Sequence, residues 1–176
     1  MAYRLEIKKA VEPEVHRVVL QQIDRALGEI NDDELSQAET VHQVRKRCKK
    51  IRAVLRLIRN SLVDRDIYRT ENAYFRDAAK NLSELRDAEV LVETYDKLMK
   101  ARKRDVDRAR FNPVRKHLVI HCDQLAGQAE KLQDKLNEFY EAMTDSRQRV
   151  SSWRLTSEGF EAVEKGLART YRRGFK

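Results

Sequence analysis

The 176-residue sequence is 38% charged, with 37 basic against 29 acidic side chains, and holds five glycines, two prolines and two cysteines. That length suits one domain, able to bury roughly 70% of its unfolded surface. Without a CxxC pair, an apolar leader core in MAYRLEIKKAVEPE, or a run near the roughly 18 apolar residues of a membrane span, the chain is expected to be a reduced, soluble cytoplasmic protein.

Scarce Gly and Pro, and the lack of alternating Val, Ile and Thr runs bounded by turns, predict an all-α fold, an antiparallel bundle of long helices. The first helix is expected from about Pro13 to Ile30, burying Val15, Val19, Ile23, Ala26 and Ile30, with Asn31, Asp32 and Asp33 ending it. His16, beside that core face, reads as structural or exposed. The next helix covers VHQVRKRCKKIRAVLRLIRNSLV at 41–63, which has eight Lys or Arg and no acid. Those residues equal the formal net charge of +8, so the rest of the chain balances. At about 100° per residue, Val44, Cys48, Ile51, Leu55, Ile58 and Leu62 share one face, the core side. His42, Arg45, Lys46, Lys49 and Arg56 gather opposite, with Arg47, Lys50, Arg52 and Arg59 along the flanks.

A third periodic stretch begins near Asp66 and carries Ile67, Tyr74, Ala78, Leu82 and Leu85 inward, then Ala88, Val92, Tyr95 and Met99, with Ser83 as the cap of a new helix within it. The last long helix runs from Pro113 to about Met143 on a near-heptad stripe of Val114, Leu118, His121, Leu125, Leu132, Leu136, Phe139 and Met143. Pro13 and Pro113 both mark helix starts, where the missing N–H costs nothing. A polar break from Thr144 to Ser152 precedes Trp153 and a final short helix, in which Arg169, Arg172 and Arg173 surround Tyr171. Cys48 and Cys122 read as small core residues.

A helix with so many like charges repels itself unless an anion or neighbouring acids relieve it, at about 0.2 to 0.5 kcal/mol per i,i+4 pair. Phosphate is the natural guest, since Arg offers paired donors and Lys a mobile point charge. The plainer reading is a solvated basic face neutralised by neighbouring helices. His117 and His121 have an i,i+4 spacing that could hold a metal, but HExxH is absent and no third ligand suggests itself, so no metal or cofactor is assigned. His121 reads better as a hydrogen-bonded core histidine. Asp87 suits a helix N-terminal dipole, and Arg86 could bridge to another helix or to a ligand. Nothing resembles a nucleophile elbow, a phosphate-cradling glycine loop or a catalytic acid pair, which argues against an enzyme.

Val41-His42-Gln43-Val44-Arg45-Lys46-Arg47-Cys48-Lys49-Lys50-Ile51-Arg52, followed by Leu55-Arg56-Leu57, resembles the first histidine motif of CHAD domains. Leu82-Ser83-Glu84-Leu85-Arg86-Asp87-Ala88-Glu89-Val90 is similar to the family's Leu-Gly/Ser-x-x-Arg-Asp segment. Gly166-Leu167-Ala168-Arg169-Thr170-Tyr171-Arg172-Arg173-Gly174 resembles its later Gly-Leu-x-Arg-x-Tyr-Arg-Arg-Gly segment, and the order and spacing of all three agree.

The resemblance implies a fold of two similar helical bundles around a basic channel, and binding of inorganic polyphosphate, at times beside a CYTH triphosphate-processing domain. Residues 1–155 would be the first bundle and 156–176 the basic helix leading toward the second. The chain stops where the family continues, so a truncated or partly ordered product is expected, or a half-domain that completes its channel as a homodimer. The resemblance makes His42, Arg45, Lys46, Lys49, Arg52 and Arg56 the phosphate contacts, with His42 donating a hydrogen bond to a phosphate oxygen. Lys50, Arg86, Arg169, Arg172 and Arg173 would add others. It also implies a cytoplasmic place associated with polyphosphate granules. Alternative readings are a nucleic-acid-binding helical protein, disfavoured by the lack of stacking aromatics in the basic helix, and an accessory domain of a CYTH-type triphosphatase. Membrane association ranks lower, because the apolar face looks like bundle core.

Overall fold

The computed structural model describes residues 3–6, 8–103, 106–127 and 129–174; the side chains at 83–86, 89, 108, 126, 129 and 130 fall outside that description. Among the described residues the fold is all-α, with helices α1 (Val11–Ile30), α2 (Gln37–Ile58), α3 (Arg65–Asn81), α4 (Ser83–Ala101), α5 (Arg108–Ala126), α6 (Ala129–Arg149) and α7 (Glu161–Gly174), and a 3₁₀ turn at Val150–Ser152.

Each start has a local cause. In α1, Pro13 sits in the first turn, where no intrahelical donor is lost. In α2, Ser36 and Glu39 form a capping box: Ser36 Oγ accepts from the Glu39 N–H at 3.3 Å, and the Glu39 carboxylate accepts from the Ser36 N–H at 3.0 Å. Such a cap is worth about 1 kcal/mol. Asp64 and Asp107 cap α3 and α5 by accepting from Asp66 N at 2.8 Å and Ala109 N at 3.0 Å.

The core forms where α2 lies against α1 and α3, with α6 closing over α1 and α3. Val15, Val19, Ile23 and Ala26 of α1 meet Val44, Cys48, Ile51, Leu55 and Ile58 of α2, with Phe75, Leu136, Phe139, Met143 and Trp153 packed around them. Both expected stripes are therefore buried, except that Ile30 at the end of α1 is half-buried at the edge of the core. Leu62 is buried too, but beyond the end of α2, in an isolated antiparallel bridge to Leu155. The segment around that bridge ties three distant stretches together. Val63 N donates to Arg154 O at 2.9 Å and Thr156 N to Ser61 O at 2.7 Å. Glu12 of α1 accepts from Leu155 N at 2.7 Å, Glu158 accepts from Val11 N at 3.1 Å, and His16 Nε2 donates to Trp153 O at 2.8 Å. His16 is thus a structural residue.

Several expectations are corrected. The stretch from Pro113 to Met143 is not one helix: α5 ends at Ala126, capped by Gly127, and α6 is a separate element. Pro113 lies inside α5, after a start at Arg108, because the Asp107 cap sets the boundary and only the Pro113 donor is lost. His121 is exposed, not a core histidine, and Val114 is 47% exposed, since α5 leans chiefly on α4. The expected break from Thr144 to Ser152 shrinks to the 3₁₀ turn at Val150–Ser152. α6 continues to Arg149 because its polar side chains are matched inward: Arg149 reaches buried Glu71 at 2.6 Å and buried Ser146 at 3.0 Å. A new helix does begin at Ser83, but the capping position is Leu82, which makes no side-chain cap. Leu85 lies outside the described side chains, and Cys122 is half-buried rather than core.

Candidate functional site

α2 separates its charges by what covers each flank. Toward α1, Arg47 is nearly enclosed, with 12% of its side chain exposed, and is held by Glu29, to which Nε donates at 3.0 and 3.2 Å and Nη2 donates as well. Lys50 is half-buried beside Tyr3: its Nζ lies 5.0 Å from the ring centroid, and the Tyr3 hydroxyl donates to the Lys50 carbonyl at 2.6 Å. Burial lowers the Lys50 pKa from its ordinary value, and the charges of Arg47, Lys46 and Arg25 lower it further. On the core side, burial pushes the Cys48 thiol up to about 12, which leaves it protonated and unreactive.

The other flank is open. His42, Arg45, Lys46 and Lys49 of α2 line a depression of about 320 Å³ with Asp87 and Val90 of α4. That is roughly ten water volumes. Arg45 Nη1 donates to Asp87 Oδ1 at 3.0 Å. Lys46 and Lys49 are exposed and make no ion pair among the described residues. Farther along α2, Arg52 donates from Nε to Asn72 Oδ1 of α3 at 3.1 Å. Its pKa is lowered by burial and then by the charges of Arg56 and Arg76, so neighbouring guanidiniums crowd here. Arg76 itself is paired with Asp77 at 2.7 Å. From His42 to Arg56 this line of cations spans about 21 Å of helix at 1.5 Å per residue.

α7 supplies a second basic element against α2. A Cβ on Gly166 would stand 2.0 Å from the Leu57 carbonyl oxygen and 2.6 Å from that of Arg56, so only glycine lets the two backbones meet. Residues 154–156 lie beside 61–63, and Gly166 lies over 56–57, so α7 runs back along α2 toward its N-terminal half. Arg169, Arg172 and Arg173 are exposed on the following turns, carry no ion pair among the described residues, and do not line the depression. The side chain of Arg86 lies outside the described residues.

The structure therefore brings together His42, Arg45, Lys46 and Lys49, continues the line through Arg52 and Arg56, and sets Lys50 apart under Tyr3. Sequence reasoning missed Asp87 as a lining residue, because its position opposite Arg45 depends on the α2–α4 crossing and not on its own neighbours. Asn72 was missed for the same reason. Gly166 was quoted without its packing role, for which a glycine one turn after buried Ala162 was the available signal.

Among the described residues no group of three His, Cys, Asp or Glu is placed to hold a metal, and no helix is long and apolar enough to cross a membrane. The model of one protein family, described as CHAD domain, matches residues 17–176. No curated protein and no solved structure matches the chain.

Proposed function

The chain belongs to the CHAD domain family, and from that premise we propose that it binds inorganic polyphosphate along the open flank of α2, without cleaving it. The observation that carries this reading is the line from His42 to Arg56, where Lys46, Lys49 and Arg56 have no acid partner among the described residues. Arg47 on the same helix is neutralised internally, so the open flank is not the general state of α2's cations. Adjacent like charges attract a linear polyanion more strongly than separate ones, and release of its counterions makes the affinity fall steeply with salt. Longer polymers engage more of the line at once. Arg169, Arg172 and Arg173 extend the basic surface from α7, and Arg86 belongs to the same proposed set.

On this reading residues 1–155 form the first bundle and α7 begins the approach to a second, with another copy of the chain as the partner that completes a channel. Light scattering with and without polyphosphate tests that pairing. A cytoplasmic place, at polyphosphate granules, goes with the same proposal. The ligand itself is tested by calorimetric titration with long-chain polyphosphate at about 0.15 M salt, with duplex DNA, RNA and orthophosphate in parallel. Tight binding of polyphosphate alone is expected. Equal or better binding of nucleic acid would replace the reading with general polyanion attraction, and no binding would reduce the open flank to a solvated surface.

A further inference from the structure

Asp87 stands in the proposed site as an acid among cations. Its carboxylate shares the depression with His42, Arg45, Lys46 and Lys49 and accepts from Arg45 Nη1 at 3.0 Å through Oδ1. We propose that Asp87 is a resident counter-anion that a phosphate must displace from Arg45, and so sets a threshold of charge density for entry to the site. This rests on the polyphosphate reading of the same site.

The Arg45–Asp87 pair has the marks of an exchangeable contact. It is made through one nitrogen and one oxygen, with 23% of the Arg45 and 58% of the Asp87 side chain exposed. The Arg47–Glu29 pair is made through two nitrogens and both carboxylate oxygens, with side chains 12% and 16% exposed. A pair in high-dielectric surroundings gives way to a better acceptor, and a phosphate can take two guanidinium donors at once. Lys46 and Lys49 already draw an anion into the depression, so an incoming phosphate oxygen and the Asp87 carboxylate compete for Arg45 at short range. A small anion engaging only this depression meets the whole of that competition. A long polymer takes most of its affinity from Arg52, Arg56 and beyond, and is hindered far less. Asp87 is on this account a specificity-determining residue, and a purely positioning role for it predicts the opposite sign.

The test compares wild type, Asp87→Asn, Asp87→Ala and the control Asp96→Asn by calorimetric titration with tripolyphosphate and with long-chain polyphosphate. Asp96 carries the same charge but pairs with Arg115 at 2.7 Å, and neither lines the depression. Both Asp87 variants are expected to bind tripolyphosphate about fivefold tighter than wild type, the equivalent of releasing one exposed ion pair, while the control stays within about twofold. The gain for long-chain polyphosphate should be smaller. Unchanged or weaker tripolyphosphate binding by the Asp87 variants would overturn the inference, as would an equal gain in Asp96→Asn; retained wild-type binding of long chains would then leave the polyphosphate reading standing. If no protein bound either probe, both the reading and the inference would fall.

Discussion

The two flanks of α2 carry similar residues to opposite ends. Facing α1, Arg47 is enclosed and answered by Glu29, while facing α4 and solvent, Lys46 and Lys49 share a depression with His42, Arg45, Val90 and the exposed carboxylate of Asp87. Charge becomes structural where a neighbouring helix supplies its counter-ion and encloses the pair, and is free for a ligand where none does. Counting cations along the helix cannot distinguish the two cases; the neighbouring helices do.

That contrast can be broken from either side. The largest effect is expected from Gly166→Ala, which forces a methyl group against the Leu57 and Arg56 carbonyls and lifts α7 from α2. Urea unfolding should show a loss of about 3 kcal/mol, the upper end for overpacking, and polyphosphate affinity should fall as well. An unchanged urea midpoint would mean that α7 is not seated on α2. Next comes Lys46→Glu combined with Lys49→Glu, which fills the open flank with acids. Polyphosphate affinity should drop on the order of 100-fold, or about 2.7 kcal/mol, with a shallower salt dependence and little change in thermal stability.

Glu29→Gln sharpens the contrast from the enclosed side. It leaves the Arg47 guanidinium poorly answered, so stability should fall by about 2 kcal/mol, while polyphosphate affinity stays within about twofold of wild type. A large loss of binding with no loss of stability would show that Arg47 contacts ligand. The smallest effect is confined to acid. The Arg17 guanidinium and the Glu6 N–H beside Glu14 hold its carboxyl at about 2, below its ordinary value of 4.5. A depressed acid favours the folded state above its unfolded pKa, and that contribution is lost as pH falls from about 4.5 toward about 2. Glu14→Gln should flatten that part of the pH–stability curve, and an identical acid profile in the variant would remove Glu14 from the account.

How far the fold could be read depended on how many helices each stripe had to satisfy. α1 and α2 pack against several neighbours, so Val15, Val19, Ile23, Val44, Cys48, Ile51 and Leu55 had to be apolar at helical spacing, and that spacing was legible. α5 leans chiefly on α4, with Val119 and Cys122 sharing a depression with Val92. A stripe through Val114 and His121 could therefore persist without being buried, and it ran past the boundary at Gly127 into α6. In α6 the matched pair of Arg149 and Glu71 made a polar segment look like a loop. For the site, the cations on α2 were legible because a helix fixes their relative directions. Their fates were not, since Glu29, Tyr3 and Asp87 come from elsewhere in the chain.

The stitch around Trp153 also closes very long loops in the chain. Its hydrogen bonds join residues 137 to 147 positions apart, from His16 to Trp153, Glu12 to Leu155 and Val11 to Glu158. Contacts so distant along the chain close late, because the entropy of forming such loops opposes them until nearer contacts are in place. The pairing of α1 with α2 is local by comparison, and its loop is cheaper to close. By the same reasoning, the seating of Gly166 on α2 is expected to follow the pairing of α1 with α2.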